Sequence, residues 1–182
     1  ANAAYKGGID CLEITYRTEA AQAAIREVKN ANPNITLIAG TVVSRSQAES
    51  AFNAGASAIV SPGLCEDVVD YCKEKNIAVF PGVCTPTEII RAMELGIHHL
   101  KFFPAESAGG IKMLKSLAGP FSNIRFMPTG GINDKNIKDY LSLDNVFACG
   151  GSWMIPSNIS ENQNIEVITD LCREAKMIAA EV

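Results

Sequence analysis

A lysine inside an apolar run is the first residue of this sequence that could do chemistry. Lys101 lies within LKFFP (100–104), where a parallel strand covered on both faces should be continuously apolar. An amine held among apolar groups has its charged form disfavoured, which lowers its pKa and frees the nitrogen lone pair. Such a lysine can attack a carbonyl carbon and form a Schiff base. The alternative is an ammonium that reaches water from a strand end, but Lys101 is in the body of the run.

A carboxylate in the first apolar run is the second candidate. In CLEITYR (11–17), the two-residue period of a strand puts Glu13 and Arg17 on one face. The apolar side chains that alternate with them and should meet the helices are Leu12, Ile14 and Tyr16. An inward carboxylate is costly unless it is paired or functional. Roughly 13 Å of strand separates the two Cα atoms, so a direct ion pair would need Arg17 to fold back. We therefore favour a functional Glu13 over mutual neutralisation.

Pairs of glycines lie at the ends of two apolar runs late in the chain. Gly130 and Gly131 follow one apolar run, and Gly150 and Gly151 precede Ser152. Their backbone N–H groups, the Ser152 hydroxyl and a short helix expected to begin near Ser152 could together hold an anion. A single pair of glycines is most often just a tight turn. Two pairs, both late in the chain, favour a phosphate site where parallel barrels commonly place one.

Strands and helices alternate along the chain and must position these residues. Short apolar or β-branched runs predict strands at 11–16, 36–41, 58–62, 78–83, 99–104, 125–130 and 146–151. Helical spacing in the intervals predicts helices at 20–31, 47–54, 66–75, 86–95, 111–117 and 134–143. A closing helix carries one apolar stripe between Ile168 and Ile178.

This alternation implies right-handed βαβ units and a parallel sheet. We predict an α/β fold of the (β/α)8 TIM barrel type, with its chemistry at the carboxyl ends of the strands. The alternative is an open doubly wound sheet, which would usually carry a glycine-rich turn after its first strand. The residues at that place are Arg17, Thr18 and Glu19, which favours the barrel.

The length of 182 residues is short for a complete barrel, which usually needs at least about 200. Seven strands are recognisable, so we expect residues 1–182 to form a single barrel domain that lacks its first β-strand. On that interpretation the natural protein is longer by roughly one βα unit.

The composition and charge of the chain limit the kinds of partner that we expect it to bind. With 16 Lys and Arg against 20 Asp and Glu, and a net charge of −4, the chain does not suggest a nucleic-acid surface. No run approaches the roughly 18 apolar residues of a membrane span, and residues 1–9 do not resemble a signal peptide. We expect a cytoplasmic protein that binds a small molecule and copies of itself. His98 and His99 would point to opposite faces of a strand, so we expect no metal and no other cofactor.

The motifs that carry this chemistry resemble a known family. The similar blocks are LEITYRT (12–18), AGT (39–41), SPG (61–63), PGVCTPTE (81–88), KFFPAE (101–106), GPF (119–121), PTGGI (128–132) and GGSW (150–153). In this order they resemble the bacterial 2-dehydro-3-deoxy-phosphogluconate (KDPG) aldolases, also named 4-hydroxy-2-oxoglutarate (KHG) aldolases. The similarity runs from Gly7 to about Pro156.

The resemblance implies a class I aldolase of the Entner–Doudoroff pathway, usually a homotrimer, that cleaves KDPG to pyruvate and glyceraldehyde 3-phosphate. It makes Lys101 the Schiff-base lysine and Glu13 the general acid/base. It gives binding roles to further residues. Arg17 and Thr41 would hold the carboxylate at the pyruvate end of the substrate, and Thr129 would lie beside the imine. Pro62 and Phe103 would form part of the pocket wall. Those at the phosphate are Gly130, Gly131, Gly151 and Ser152.

Other functions stay open on the residues alone. The substrate could be the galactonate-derived isomer, which differs at one stereocentre, or 4-hydroxy-2-oxoglutarate. Phosphate-binding barrels such as thiamine-phosphate synthases and epimerases share late glycine pairs, but they have no reason to keep a lysine in the strand 99–104, the sixth of a complete barrel. A barrel that merely senses a sugar phosphate would bind its ligand without forming an imine.

Overall fold

The computed structural model describes residues 1–159 and 164–182. In chain order the helices are α1 (Asn2–Lys6), α2 (Ala21–Ala31), α3 (Arg45–Ala54), α4 (Glu66–Glu74), α5 (Pro86–Glu94), α6 (Gly110–Ala118), α7 (Ile137–Leu141) and α8 (Glu166–Ala179). The strands are β1 (Cys11–Thr15), β2 (Thr36–Gly40), β3 (Ala58–Val60), β4 (Ala78–Phe80), β5 (Gly82–Val83), β6 (His99–Phe102) and β7 (Arg125–Pro128). The chain divides into two compact units, Cys11–Phe103 and Ala1–Asp10 with Pro104–Val182.

The unit Cys11–Phe103 contains a parallel sheet in the order β1-β2-β3-β4. Strands β5 and β6 also pair in parallel, with Gly82 opposite Lys101. Each helix of this unit connects one strand to the next, as the predicted βαβ units require. The α/β class with parallel strands is therefore as expected from the sequence.

The core of this unit forms between the sheet and its helices. Its fully buried side chains include Ile25, Leu37, Ile59, Val68 and Cys72. The alternating apolar side chains of β1 and of the residue after it pack against this cluster, as predicted; they are Leu12, Ile14 and Tyr16. Because side chains alternate along a strand, the other face of β1 carries Glu13.

Helix α5 shows the local signals that delimit such elements. Thr85 Oγ1 accepts the Glu88 N–H and the Glu88 carboxylate accepts the Thr85 N–H, a capping box, and Pro86 takes the first helical position. Pro86 has no N–H to leave unpaired there, and its φ already suits a helix.

The unit formed by Ala1–Asp10 and Pro104–Val182 joins the chain ends. Thr169 Oγ1 in α8 donates to the Ala3 carbonyl in α1 at 3.1 Å. A Cβ at Gly7 would lie 2.5 Å from Cys172 Cβ, so the glycine allows the start of the chain to lie against α8. The helix α1 was not among the sequence predictions.

Two predicted strands differ in the structure. The run 78–83 is interrupted at Pro81, which has no N–H to donate to a ladder, so it forms the short strands β4 and β5. The run 146–151 forms only two isolated parallel bridges, Phe126 to Val146 and Thr129 to Gly150. The glycine pair at its end offers no side chains to stabilise a strand.

The helix predicted at 134–143 is shorter than expected. Asn133 Oδ1 accepts the Lys135 N–H and Asn136 Oδ1 accepts the Asn133 N–H, both at 2.9 Å. These side-chain bonds hold residues 133–136 in a turn, so α7 begins only at Ile137. Among the described residues, none of the helices has the length and apolar character needed to cross a membrane.

Candidate active site

Lys101 is a buried amine in the middle of β6. Its residue is only 4% exposed, and its backbone N–H donates to the Pro81 carbonyl at 3.0 Å. The neighbouring Leu100 and Phe102 are fully buried. Within the described part of the chain, no ion pair or hydrogen bond involves its Nζ. The sequence prediction of an amine among apolar groups therefore agrees with the structure.

The environment of Lys101 changes its acidity. Burial lowers the pKa of the amine, whereas the negative charge of Glu13 acts in the opposite direction. The ring of Phe103 lies over the amine, with its centroid 4.9 Å from Nζ. A lysine with a lowered pKa holds more of its neutral, nucleophilic form at a given pH.

Glu13 lies on β1 with its side chain over the backbone of β2. The residue is exposed, so the burial cost expected for an inward carboxylate does not apply to it. The strand register places Thr15 opposite Gly40, two residues beyond Glu13. A Cβ at Gly40 would lie 1.9 Å from Glu13 Oε1 and 2.4 Å from Cδ. The missing side chain of Gly40 therefore leaves the space that the carboxylate occupies.

Arg17 and Thr41 follow the carboxyl ends of β1 and β2. Arg17 Nε donates to Thr15 Oγ1 at 3.0 Å, and none of the ion pairs among the described residues joins Arg17 to Glu13. Thr41 has a φ of 58°, a left-handed backbone that costs a residue with a Cβ roughly 1–2 kcal/mol. Hydrogen bonds on both sides hold it there, from Tyr16 N to the Gly40 carbonyl and from Val42 N to the Val60 carbonyl.

Pro62 follows β3 at the same edge. A Cβ at Gly82 would lie 2.3 Å from the Pro62 carbonyl oxygen, so the two backbones touch. In the unit Cys11–Phe103, the sequence-predicted residues thus lie either within parallel strands or just after the carboxyl ends of parallel strands. These residues are Glu13, Arg17, Thr41, Pro62, Lys101 and Phe103.

The late glycines come together in the other unit. Thr129 bridges to Gly150, whose N–H donates to the Pro128 carbonyl at 3.0 Å. A Cβ at Gly150 would lie 2.7 Å from Thr129 Oγ1. Gly130 and Gly131 have φ values of 99° and 85°, which only glycine adopts without strain. The residues 129–131, here called the glycine loop, therefore lie beside residues 150–152.

The turn after the second glycine pair differs from the prediction. Ser152 is exposed, and the Ile155 N–H donates to its carbonyl at 3.1 Å, which closes a turn rather than the expected short helix. A Cβ at Gly151 would lie 1.8 Å from the Trp153 ring, so the ring covers the glycine backbone. No helix N-terminus therefore contributes to an anion site at the described residues 152–155.

Two features were missed in the sequence. Gly40 is not among the sequence-predicted site residues, although it belongs with Thr41 to the AGT block (39–41). Glu106 accepts a hydrogen bond from the Tyr140 hydroxyl, and the only sign of it in the sequence is its place in the KFFPAE block. Residues 1–159 and 164–182 contain no group of three or more His, Cys, Asp or Glu side chains that could hold a metal ion.

Comparison with known proteins adds to this geometry. The family model for KDPG and KHG aldolase matches residues 1–171. The chain is 44% identical to the 2-dehydro-3-deoxy-phosphogluconate aldolase of Haemophilus influenzae over 169 residues, 93% of this chain and 80% of the relative. It is 43% identical to the KHG/KDPG aldolase of Escherichia coli strain K12 over 175 residues, 96% of this chain and 82% of the relative.

A solved structure shares the fold. The KDPG aldolase of Legionella pneumophila, crystallised with pyruvate captured as a covalent carbinolamine intermediate, matches with a TM-score of 0.91 and 41% identity. The match covers 94% of this chain and 84% of that one. The predicted fold class, that of the TIM-barrel-like α/β aldolases, is confirmed. The family model and the identities together show that this chain belongs to the KDPG and KHG aldolase family.

Proposed function

We propose that this chain is a class I aldolase that cleaves 2-dehydro-3-deoxy-6-phosphogluconate to pyruvate and glyceraldehyde 3-phosphate. The observation that carries the proposal is Lys101, a buried amine with a lowered pKa. Membership of the aldolase family supports it, because a buried lysine is the group that Schiff-base chemistry requires.

Lys101 is the proposed nucleophile. Its neutral Nζ attacks the C2 ketone of the substrate, and loss of water gives a protonated imine. The imine draws the electron pair of the C3–C4 bond toward nitrogen when that bond breaks. No metal is needed to stabilise this pair, and we propose that the enzyme uses no cofactor.

Glu13 is the proposed general acid/base. It takes the proton of the C4 hydroxyl, directly or through one water, as the C3–C4 bond breaks and glyceraldehyde 3-phosphate forms. The enamine left on Lys101 is then protonated at C3, and hydrolysis releases pyruvate and the free amine. The electrostatic influence of Glu13 on Lys101 supports this assignment.

The remaining residues are proposed to bind the substrate. Arg17 and Thr41 hold the carboxylate at the pyruvate end, and Pro62 and Phe103 wall the pocket. The position of Phe103 over the Lys101 amine supports its role. Thr129 is assigned to a position beside the imine that the substrate forms with Lys101.

The phosphate is assigned to the two glycine segments, through Gly130, Gly131, Gly151 and Ser152. The bridge between Thr129 and Gly150 supports this, because it brings the two segments side by side. Glycines let a backbone approach an anion closely, and the Ser152 hydroxyl adds a donor.

Cleavage of 4-hydroxy-2-oxoglutarate to pyruvate and glyoxylate is a second proposed activity. The Escherichia coli relative, 43% identical, is named for both substrates. Both substrates would form an imine at C2 with Lys101, and both cleavages would leave the same pyruvate enamine, so one active site serves both. The family resemblance also supports a cytoplasmic enzyme of the Entner–Doudoroff pathway that forms a homotrimer. Light scattering on the purified protein tests the homotrimer by measuring the mass of the oligomer.

Borohydride trapping tests the mechanism. The protein is mixed with pyruvate, reduced with borohydride and digested, and peptides are examined by mass spectrometry. We expect one reduced pyruvate on Lys101 and none in Lys101→Met. Lys112 is an exposed lysine on α6, and Lys112→Met is the matched control that keeps the adduct. A wild-type protein without an adduct on Lys101 contradicts the Schiff-base proposal.

A further inference from the structure

Glu106 and Tyr140 form a hydrogen-bonded pair that the proposed mechanism does not use. The hydroxyl of Tyr140, a fully buried residue of α7, donates to Glu106 Oε1. Gly110 at the start of α6 leaves room for the pair, because a Cβ there would lie 2.9 Å from the Tyr140 oxygen and 3.1 Å from Glu106 Oε1. Glu106 is exposed as a residue, so the Tyr140 hydroxyl is the group that orients its carboxylate.

The same glutamate contacts the glycine loop with the rest of its residue. The Glu106 N–H donates to the Gly130 carbonyl at 3.1 Å. A Cβ at Gly131 would lie 2.5 Å from Glu106 Cγ and 2.8 Å from Glu106 Cβ, so the stem of the glutamate lies directly on the Gly131 backbone. The conformation of the loop and the position of Glu106 are thus mutually dependent.

The loop is fixed from its other side by the segment that leads into α7. The side-chain amides of Asn133 and Asn136 donate to the Gly131 carbonyl at 3.2 and 3.0 Å. Tyr140 lies one turn further along α7. One segment therefore holds the Gly131 carbonyl directly and the Gly131 backbone indirectly, through Glu106.

We propose that Glu106, held by Tyr140, is a positioning residue that fixes the glycine loop for binding the substrate's phosphate group. This inference rests on the proposed function, in which Gly130 and Gly131 bind that phosphate. A carboxylate bonded to Tyr140 stays in one rotamer. Without the hydrogen bond from Tyr140, the Glu106 side chain no longer supports the Gly131 backbone. Its negative charge can then also move close to a bound anion and repel it.

The Tyr140 hydroxyl is suited to this role over a wide pH range. Burial and the hydrogen bond to Glu106 raise the pKa of the phenol above its ordinary value. The hydroxyl therefore keeps the proton that it donates at neutral and mildly alkaline pH.

Substitutions of Glu106 and Tyr140 test the proposal, because their effects on KM can be compared between a substrate with a phosphate group and one without. Tyr140→Phe and Glu106→Ala should raise the KM for phosphorylated KDPG by about tenfold, since a hydrogen bond to a charged group is lost. The KM for 4-hydroxy-2-oxoglutarate, which has no phosphate, should change less than twofold. The amide oxygen of Glu106→Gln can still accept from Tyr140, so this conservative variant should keep the wild-type KM.

Tyr71→Phe is the control for loss of a tyrosine hydroxyl outside the Glu106–Tyr140 pair. Tyr71 is 2% exposed and lies in the other unit, where its ring packs under Arg45. It should leave the KM for both substrates unchanged. Equal effects of Tyr140→Phe on the two substrates, or a Glu106→Gln variant as impaired as Glu106→Ala, would overturn the proposal.

A binding measurement separates this inference from the proposed function. Inorganic phosphate is titrated into the protein while the amide NMR signals of Gly130 and Gly131 are followed. We expect saturable shifts in wild type and in Glu106→Gln, and weaker binding in Tyr140→Phe. If wild type cleaves neither substrate, the proposed function fails, yet the titration still decides the role of Glu106. Equal phosphate binding in wild type and Tyr140→Phe, or no shift at all, contradicts it.

Discussion

The carboxylate of Glu13 lies over the backbone of Gly40, at a distance that no side chain at position 40 would allow. A Cβ there would lie 1.9 Å from Glu13 Oε1. Gly40 is not among the residues with a positive φ, so its backbone conformation is open to alanine. The conflict created by an added methyl group is therefore with the Glu13 side chain, and it displaces the proposed acid/base.

Gly40→Ala should lower kcat for KDPG cleavage by about 10²-fold, because general acid/base catalysis contributes at least that much. Formation of the Lys101 adduct with pyruvate and borohydride should persist. In a Glu13→Ala background the same substitution should have no further effect on kcat. Gly119→Ala is the matched control, since a Cβ at Gly119 meets no atom within 4 Å. A Gly40→Ala enzyme with normal kcat contradicts this positioning role.

The β1 alternation was readable from the sequence, but the contact between Glu13 and Gly40 was not. The period of two places Glu13 opposite the apolar face in any register. Which residue of β2 lies beside it depends on the pairing of Thr15 with Gly40, and this register is set by packing across the whole unit. The strand break at Pro81 was predictable in principle, because proline lacks the ladder donor.

The backbone of Thr41 also could not be predicted. A threonine with a φ of 58° is disfavoured locally, and it persists because hydrogen bonds from Tyr16 N and Val42 N fix the strand ends on either side. Such a tertiary constraint leaves no trace in local propensity. Likewise, the Asn side chains that shorten α7 compete with a helix that the apolar spacing favours.

Thr41→Gly and Thr41→Ala separate the hydroxyl of Thr41 from its backbone strain. Both variants lack the hydroxyl and should raise the KM for pyruvate in the reverse, condensation reaction by a similar factor. Only glycine relieves the left-handed conformation, so Thr41→Gly should be the more stable variant by about 1 kcal/mol. Urea unfolding measures this difference. Equal stability of the two variants would show that the backbone at position 41 is not strained.

Glu13→Gln tests the electrostatic coupling between Glu13 and Lys101. The Glu13 charge raises the pKa of the Lys101 amine, against the lowering effect of burial. Removing the charge should therefore lower this pKa further and shift the pH midpoint of pyruvate trapping to lower pH. Turnover of KDPG should fall by about 10²–10⁴-fold, the usual contribution of a general acid/base. A midpoint that stays in place, or turnover that is retained, contradicts the assignment.

Ser152→Ala tests the phosphate assignment at the second glycine segment. Loss of a hydroxyl donor to a dianion should raise the KM for KDPG by about tenfold and leave the KM for 4-hydroxy-2-oxoglutarate nearly unchanged. Ser116→Ala is the matched control, because the exposed Ser116 hydroxyl donates to the Lys112 carbonyl of its own helix. Equal effects of Ser152→Ala on both substrates would place the phosphate elsewhere.

Lys101→Met should increase stability at neutral pH and lose that advantage as the pH rises. Burial lowers the folded-state pKa of Lys101 below its unfolded value, so the unfolded chain binds more protons at Lys101 between these two pKa values. The Lys101 contribution to stability therefore increases with pH across that window. Methionine fills the same space without an amine, and its contribution is independent of pH. Urea unfolding of both proteins at neutral pH and near pH 10 measures the difference, in which the other titrating groups largely cancel. A stability gain from Lys101→Met that is constant, or that grows with pH, is incompatible with a lowered lysine pKa.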